Sequence, residues 1–329
     1  VIFRHGVFAK SGIEIPLERV NSVHFNQGIF ERIIGAGDLL IESGAEGLDE
    51  LSAGLFGHTG RASTIGLTGS PGVGKSTIAG ELVGAARARD VSVAVLAIDP
   101  TSPLSGGALL GDRLRMQAHA TDPGVFIRSM ATRGHLGGMA LAAPEAIRVL
   151  DASGRDLVIV ETVGVGQAEV DVAAATDTTV VVVSPGWGDA VQVAKAGILE
   201  IADIFVVNKA DREGADVAVR DLQQMLRMGP EMPWTPPVVP TIATSAEGVD
   251  DLWTAVEAHR AHLESSGELA RGRRDRLLRE VESLALEGLR GRARELLGED
   301  GSLVDDLVER RTDPYRTAAI LEERIARGP

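Results

Sequence analysis

Residues 63–82 read STIGLTGSPGVGKSTIAGEL. A short apolar run leads into a glycine-rich turn, and the turn leads into a segment with helical character. The turn itself, GSPGVGKS at 69–76, matches G-x-x-x-x-G-K-[ST] in the strand–loop–helix setting that gives this motif its meaning. Gly69, Gly72 and Gly74 free the backbone to curl, so that its N–H groups point inward at phosphate oxygens. The helix that follows adds its positive end. Phosphate contacts are therefore expected from Gly69, Ser70, Gly72 and Val73, and then from Gly74, Lys75, Ser76 and Thr77. Lys75 is placed to reach the β- and γ-phosphates as a catalytic cation, and the Ser76 hydroxyl to meet Mg²⁺.

Outward from this loop the texture alternates between strand and helix. VSVAVLAID, LVIVE, TTVVVVSP and DIFVVNK are nearly continuous apolar runs separated by helical segments. Such runs belong to strands covered on both faces, as in a parallel sheet. The fold class expected is α/β, a doubly wound P-loop NTPase, with a C-terminal helical arm and a short N-terminal β segment. Four regions follow: a β segment at 1–47, a linker or stray helical turn at 48–61, the nucleotide-binding domain at 62–258, and helices at 259–329. In the last region Leu277, Val281, Leu284 and Leu289 fall near one helical stripe among charges, a face that a second subunit would cover.

Composition narrows the function. Of 329 residues 44% are hydrophobic but only 3% aromatic, so the core is aliphatic. The absence of cysteine removes thiolate chemistry and disulfides and suits a reducing compartment. A net charge of −14 argues against a general nucleic-acid binder. No apolar run approaches the roughly 20 residues that span a bilayer, and the start carries no signal-peptide pattern. A cytoplasmic location is expected.

VVNKAD at 206–211 also closes a strand. Asp211 can accept from the ring N–H and the exocyclic amine of guanine, whereas adenine would leave a buried carboxylate unpaired. The Lys209 stem can lie along the base, and Asn208 can tie this loop to the phosphate loop. TSAEG at 244–248 follows another strand, and its Ser245–Ala246 backbone can touch the guanine oxygen.

Mg²⁺ on a triphosphate needs hard oxygen ligands. Besides Ser76 the candidates are Asp99, which ends VAVLAID; Asp112, in SGGALLGDRLRM; and Glu161, which ends the strand of DLVIVETVGVGQAEVD. A turn residue is the plain alternative for Asp99, and a helix N-cap for Asp112. Glu161 is expected to face the ion through water. Gly164, counted with Lys75 and Glu161 in the catalytic set, can donate its N–H to the γ-phosphate. Loss of that phosphate would release residues 162–171, an order–disorder switch. Val165 stands where small signalling GTPases carry a water-orienting glutamine, so slow intrinsic hydrolysis is expected.

GLTGSPGVGKST, AIDPTSP, GDRLRM, ETVGVGQAEVD and EIADIFVVNKAD together resemble the MeaB/ArgK/MMAA-type P-loop GTPases over residues 62–329. The resemblance implies a GTP-binding and GTP-hydrolysing chaperone. Its partner would be an adenosylcobalamin-dependent acyl-CoA mutase of the methylmalonyl-CoA mutase type, whose cofactor loading it gates and which it protects. The resemblance also implies Mg²⁺ with GTP or GDP, and a homodimer built on the C-terminal arm. In that family a third switch-like loop communicates with the mutase. SPGWGDAVQVAKAGILE (184–200) stands in its place, with Lys195 matching a lysine and Ala190 where an acidic residue is usual; a solvated helix face is the plain reading of Asp189 and Lys195.

Residues 1–47 resemble the latter part of a bacterial PH-like domain, which keeps a membrane-recruited GTPase switch open as an alternative. A metal-insertion GTPase would carry Cys or His clusters, and the histidines here are scattered; His259 and His262 are read as solvated. A transport-linked kinase would need an acceptor pocket and a base. If Asp211 reads guanine, Asp211→Asn is expected to move base preference from GTP toward xanthosine triphosphate by at least tenfold, measured by competition for the nucleotide site.

Overall fold

The computed structural model describes residues 24–26, 38–40, 48–99, 119, 121–131, 138–162, 167–185, 198–229 and 232–327. The contacts divide the chain into two compact units, Val1–Gly272 and Arg273–Pro329.

In the first unit β3 (Ser63–Thr68) is the central strand of a seven-stranded sheet. On one side of it lie β6 (Leu157–Thr162), β4 (Val93–Asp99) and the edge strand β5 (Val125–Ala131). On the other lie β7 (Thr178–Val183), β8 (Ile204–Asn208) and the edge strand β9 (Val238–Thr241). Every neighbouring pair is parallel. Two earlier three-residue strands, β1 (His24–Asn26) and β2 (Asp38–Leu40), pair antiparallel with each other.

The apolar runs divide their side chains between two faces, as the two-residue period of a strand requires. Leu157 and Ile159 of β6 join one cluster with Ile65, Leu67 and Leu82; Val158 and Val160 join another with Leu96 and Leu150. Val181, Val183, Phe205 and Val207 form a third with Leu222. Helices α2 (Lys75–Arg87) and α7 (Val249–Ser266) cover the first cluster, α3 (Gly138–Ala152) and α4 (Gln167–Ala175) the second, and α6 (Ala215–Met228) the third. A one-turn helix, α5 (Ile198–Ile201), precedes β8. The edge strand β5 was not marked by the sequence: Arg128 interrupts its apolar run, and its described residues are only half buried.

The segment read as a linker contains a helix, α1 (Leu48–Phe56), that docks on α3. Leu55 packs against the second cluster, the Arg148 guanidinium lies 5.9 Å over the Phe56 ring, and Arg148 Nη1 donates to Ser52 Oγ at 3.1 Å. The chain then reaches β3 through the buried Asp151 carboxylate, which accepts from the N–H groups of Gly60, Arg61 and Ala62. Pro240 sits within β9 at the outer edge of the sheet and is exposed.

His259 departs from the solvated reading. It is 2% exposed, on the face of α7 that lies against the foot of β7. Its Nδ1 is 2.9 Å from Thr178 Oγ1, and its Nε2 is 3.4 Å from Asp203 Oδ1. The sequence reading lacked the buried polar partners that let a histidine occupy a core position.

In the second unit α8 (Glu268–Glu299), which begins in the first unit, continues into α9 (Gly301–Val308) and α10 (Pro314–Arg327). Asp300 caps α9 by accepting from Ser302 N–H at 3.1 Å and pairs with Arg324 of α10 at 2.8 Å. Its carboxyl is held down to about 2, chiefly by the Ser302 hydroxyl and then by Arg324. Leu277, Val281, Leu284 and Leu289 are all exposed on α8, which buries no residue within this chain.

Burial favours the neutral form of both titratable groups at the foot of the sheet. It pushes the His259 ring down from 6.5 to about 4 and the Asp203 carboxyl up from 3.8 to about 6. The unfolded chain protonates His259 below its ordinary value while the fold resists, so this contribution to stability is present above about pH 6.5 and drains away toward pH 4. The Asp203 contribution is present below its ordinary value and is lost as pH rises through about 6. The two slopes oppose each other over the shared interval. Asp203→Asn removes one of them. Its thermal midpoint is expected to fall by roughly 5–10 °C more than the parent's between about pH 6.5 and 4; parallel curves in melts across that range would refute the compensation.

Candidate functional site

The site forms at the C-terminal ends of the parallel strands, where open α/β sheets hold their ligands. The loop after β3 turns back into α2. Gly69 adopts φ 132°, and a Cβ there would lie 2.1 Å from the Val182 carbonyl oxygen of β7. Gly74 adopts φ 101°, and a Cβ there would lie 2.3 Å from Asn208 Nδ2. Both positions combine left-handed backbone with no room for a side chain, so glycine is required.

Register places Glu161 beside this loop, because Leu67 of β3 pairs with Glu161 of β6. Ser76, in the first turn of α2, donates its Oγ–H to Glu161 Oε1 at 2.6 Å, and both residues are buried. A hydroxyl donating over so short a distance fits an ionised carboxylate, and the positive end of α2 supports the charge. Lys75 is also buried; its Nζ donates to the carbonyls of Gly69 at 2.6 Å and Ser70 at 2.9 Å. The ammonium is thus folded into the loop it is expected to serve.

Asn208, at the tip of β8 and 3% exposed, joins three segments. Its Nδ2 donates to the Val73 carbonyl at 2.8 Å. Its Oδ1 accepts from Thr241 Oγ at 3.2 Å and from Ala243 N–H at 3.1 Å. Lys209 adds Nζ to the Gly72 carbonyl at 2.6 Å. The tie from Asn208 to the phosphate loop was expected; its acceptance from Thr241 and Ala243 was not, although Thr241 closes the last strand where such a hydroxyl would be sought. Lys209 and Ala246 hold φ near +60°. Left-handed backbone in residues with side chains costs about 1 kcal/mol and persists where surrounding bonds enforce it. The enforcing bonds here are Ala210 N–H to the Thr241 carbonyl at 3.0 Å and the Ile242–Glu247 bridge. Asp211 is exposed at the mouth, and Ser245 and Ala246 line the adjacent turn.

Asp99 closes β4 one strand beyond Glu161, at the same edge of the sheet. Asp112, Gly164, Val165, Asp189, Ala190 and Lys195 lie outside the described residues.

The donors that converge suit magnesium. Ser76 Oγ and Glu161 Oε1 are hard oxygens side by side, with no soft ligand between them. Among the described residues no group of three or more His, Cys, Asp or Glu side chains could hold a metal. A cation bound here would take most of its ligands from phosphate and water.

Residues 40–296 match the family described as methylmalonyl Co-A mutase-associated GTPase MeaB. The chain belongs to the MeaB family. The match begins earlier than the expected residue 62 and takes in α1, in keeping with the docking of that helix on α3. Residues 1–62 match the bacterial PH domain. A putative GTPase of Pyrococcus abyssi is 48% identical over 88% of this chain and 91% of its own. The GTPase ArgK of Escherichia coli is 38% identical over 67% of this chain and 68% of its own. Among solved structures, one titled LAO/AO transport system kinase superposes with a TM-score of 0.62 at 25% identity, covering 84% of this chain and 86% of that one. The chain is thus a P-loop GTPase of the MeaB family, with the parallel sheet expected from its sequence.

Asn208→Ala leaves the Val73 carbonyl, the Ala243 N–H and the Thr241 hydroxyl without their shared partner. It is expected to lower unfolding free energy by about 2–3 kcal/mol and GDP affinity more than tenfold. Denaturant unfolding and calorimetry report the two separately, and lost stability with unchanged affinity would reduce Asn208 to a structural part.

Proposed function

We propose that this MeaB-family GTPase binds GTP with Mg²⁺ and, through the GTP-to-GDP transition, gates cofactor loading into an adenosylcobalamin-dependent acyl-CoA mutase of the methylmalonyl-CoA mutase type. The observation that carries the reading is the Asn208 junction, because it seats an N-K-x-D loop directly on the phosphate loop. Base reader and phosphate cradle are thereby one rigid unit.

The phosphates lie against the backbone N–H groups of residues 69–77, and Lys75 leaves its carbonyl partners for the β- and γ-oxygens. Asp211 accepts from the guanine edge, with Ser245 and Ala246 at the base oxygen. Ser76 and Glu161 would hold the magnesium, with Asp99 and Asp112 as further oxygen donors; the ion supplies charge neutralisation on the phosphate oxygens. Water attacks the γ-phosphorus as the bond to the β–γ bridging oxygen breaks, giving GDP and inorganic phosphate. Gly164 reports the γ-phosphate through its N–H. With valine at 165 rather than a water-orienting glutamine, turnover by the chain alone is slow.

The mutase partner follows the family description, which names association with methylmalonyl-CoA mutase. The exposed Leu277–Val281–Leu284–Leu289 stripe of α8 supports a homodimer, since an apolar helix face in water needs a cover. A cytoplasmic location is part of the same reading; among the described residues no helix is long and apolar enough to cross a membrane. The match of residues 1–62 to the bacterial PH domain favours a second reading, a switch recruited to membrane surfaces. Sedimentation with anionic vesicles would distinguish it.

The decisive experiment is co-purification with candidate adenosylcobalamin-dependent mutases in GDP and in a non-hydrolysable GTP analogue. One mutase is expected to be retained, with the two nucleotides giving different yields, and Lys75→Ala is expected to lose nucleotide binding at least a hundredfold and erase the difference. Retention of no mutase by a GTP-binding protein would overturn the chaperone role.

A further inference from the structure

Nucleotide chemistry uses only the tips of β7 and β8. The feet of the same strands carry a buried polar cluster with no part in that chemistry. His259 engages Thr178 Oγ1 with one ring nitrogen and faces Asp203 Oδ1 with the other. Asp203 accepts from Thr179 N–H through Oδ2 at 2.7 Å, and its backbone carbonyl accepts from the Trp234 indole N–H at 2.8 Å. The Trp234 ring lies 4.9 Å from His259 and 5.2 Å from His262. His262 Nε2 is 3.6 Å from Glu268, the first residue of α8, across the left-handed Gly267 that ends α7. The His259 imidazole therefore links α7 and Trp234, in the segment before β9, to Thr178, the first residue of β7, and to Asp203, the residue before β8.

Between Asp203 and Asn208 the chain is the five-residue strand β8, every residue of it buried. The rise is about 17 Å. A strand packed on both faces has no slack along its axis. Its upper end is the residue whose amide ties the phosphate loop, Thr241 and Ala243 together.

We propose that His259 is a positioning residue for guanine recognition: its clasp at the foot of β7 and β8 sets the height of Asn208 against the phosphate loop. The coupling runs both ways, because what the foot does to nucleotide affinity the nucleotide must do to the foot. The proposal rests on the nucleotide-site reading given above.

Trp234 is a built-in reporter of the clasp. In a protein that keeps Trp234 alone among its three tryptophans (Trp187→Phe, Trp253→Phe), GDP with magnesium is titrated while heat and indole emission are recorded together. The emission is expected to change with the same midpoint as the heat. His259→Phe in that background is expected to weaken GDP binding about tenfold and to abolish the emission change, with His259→Gln recovering part of both. Thr178→Val removes the hydroxyl on Nδ1 without changing volume, so it serves if the phenylalanine variant fails to fold, and a loss of about fivefold is expected. Heat without an emission change, or affinity within about twofold of the parent in a folded variant, overturns the clasp. No heat in the parent overturns the nucleotide reading, and the positioning role with it.

Discussion

The amide of Asn208 is the junction on which the rest of the site depends. A primary amide offers donors on one side and an acceptor on the other, so one side chain can join three chain segments that share no sequence. The phosphate loop, the tip of β8 and the turn after β9 are held in one arrangement because a buried amide must satisfy both ends. Gly74 is glycine for the same reason: the amide occupies the space where its side chain would be.

That junction explains the division of labour in the sheet. β3 supplies the loop, β6 brings a carboxylate to the Ser76 hydroxyl, and β8 carries the N-K-x-D loop, each by ending at the same edge. The strands reach a common edge because all seven are parallel, and described helices return the chain after β3, β5, β6, β7 and β8. Burial of Lys75 and Glu161 is offset by neighbouring groups: the Gly69 and Ser70 carbonyls accept from the ammonium, and the Ser76 hydroxyl donates to the carboxylate.

Much of this was legible in the sequence. Both-faces-apolar strands such as TTVVVV carry their own signature, and GSPGVGKS names a P-loop by its spacing. Three features were harder to read, each for a physical reason. Helix α1 is only nine residues long, too short to hold its shape alone, and it is fixed by Leu55 and by Arg148 on a distant helix. β5 lies at an edge, so its pattern is neither a clean alternation nor a continuous run. His259 looked like a surface histidine, since nothing local shows that Thr178 and Asp203, 81 residues away in one case, meet it in the core. Local chemistry was readable; long-range satisfaction of polar groups was not.

Pro240 has a consequence at the opposite extreme of scale. The outermost strand of a parallel sheet presents a row of amide donors to the surroundings, and such a row is a template on which another chain can crystallise into fibre. A ring nitrogen without hydrogen breaks that row within a four-residue strand. Along this margin a foreign strand finds no continuous ladder to pair with.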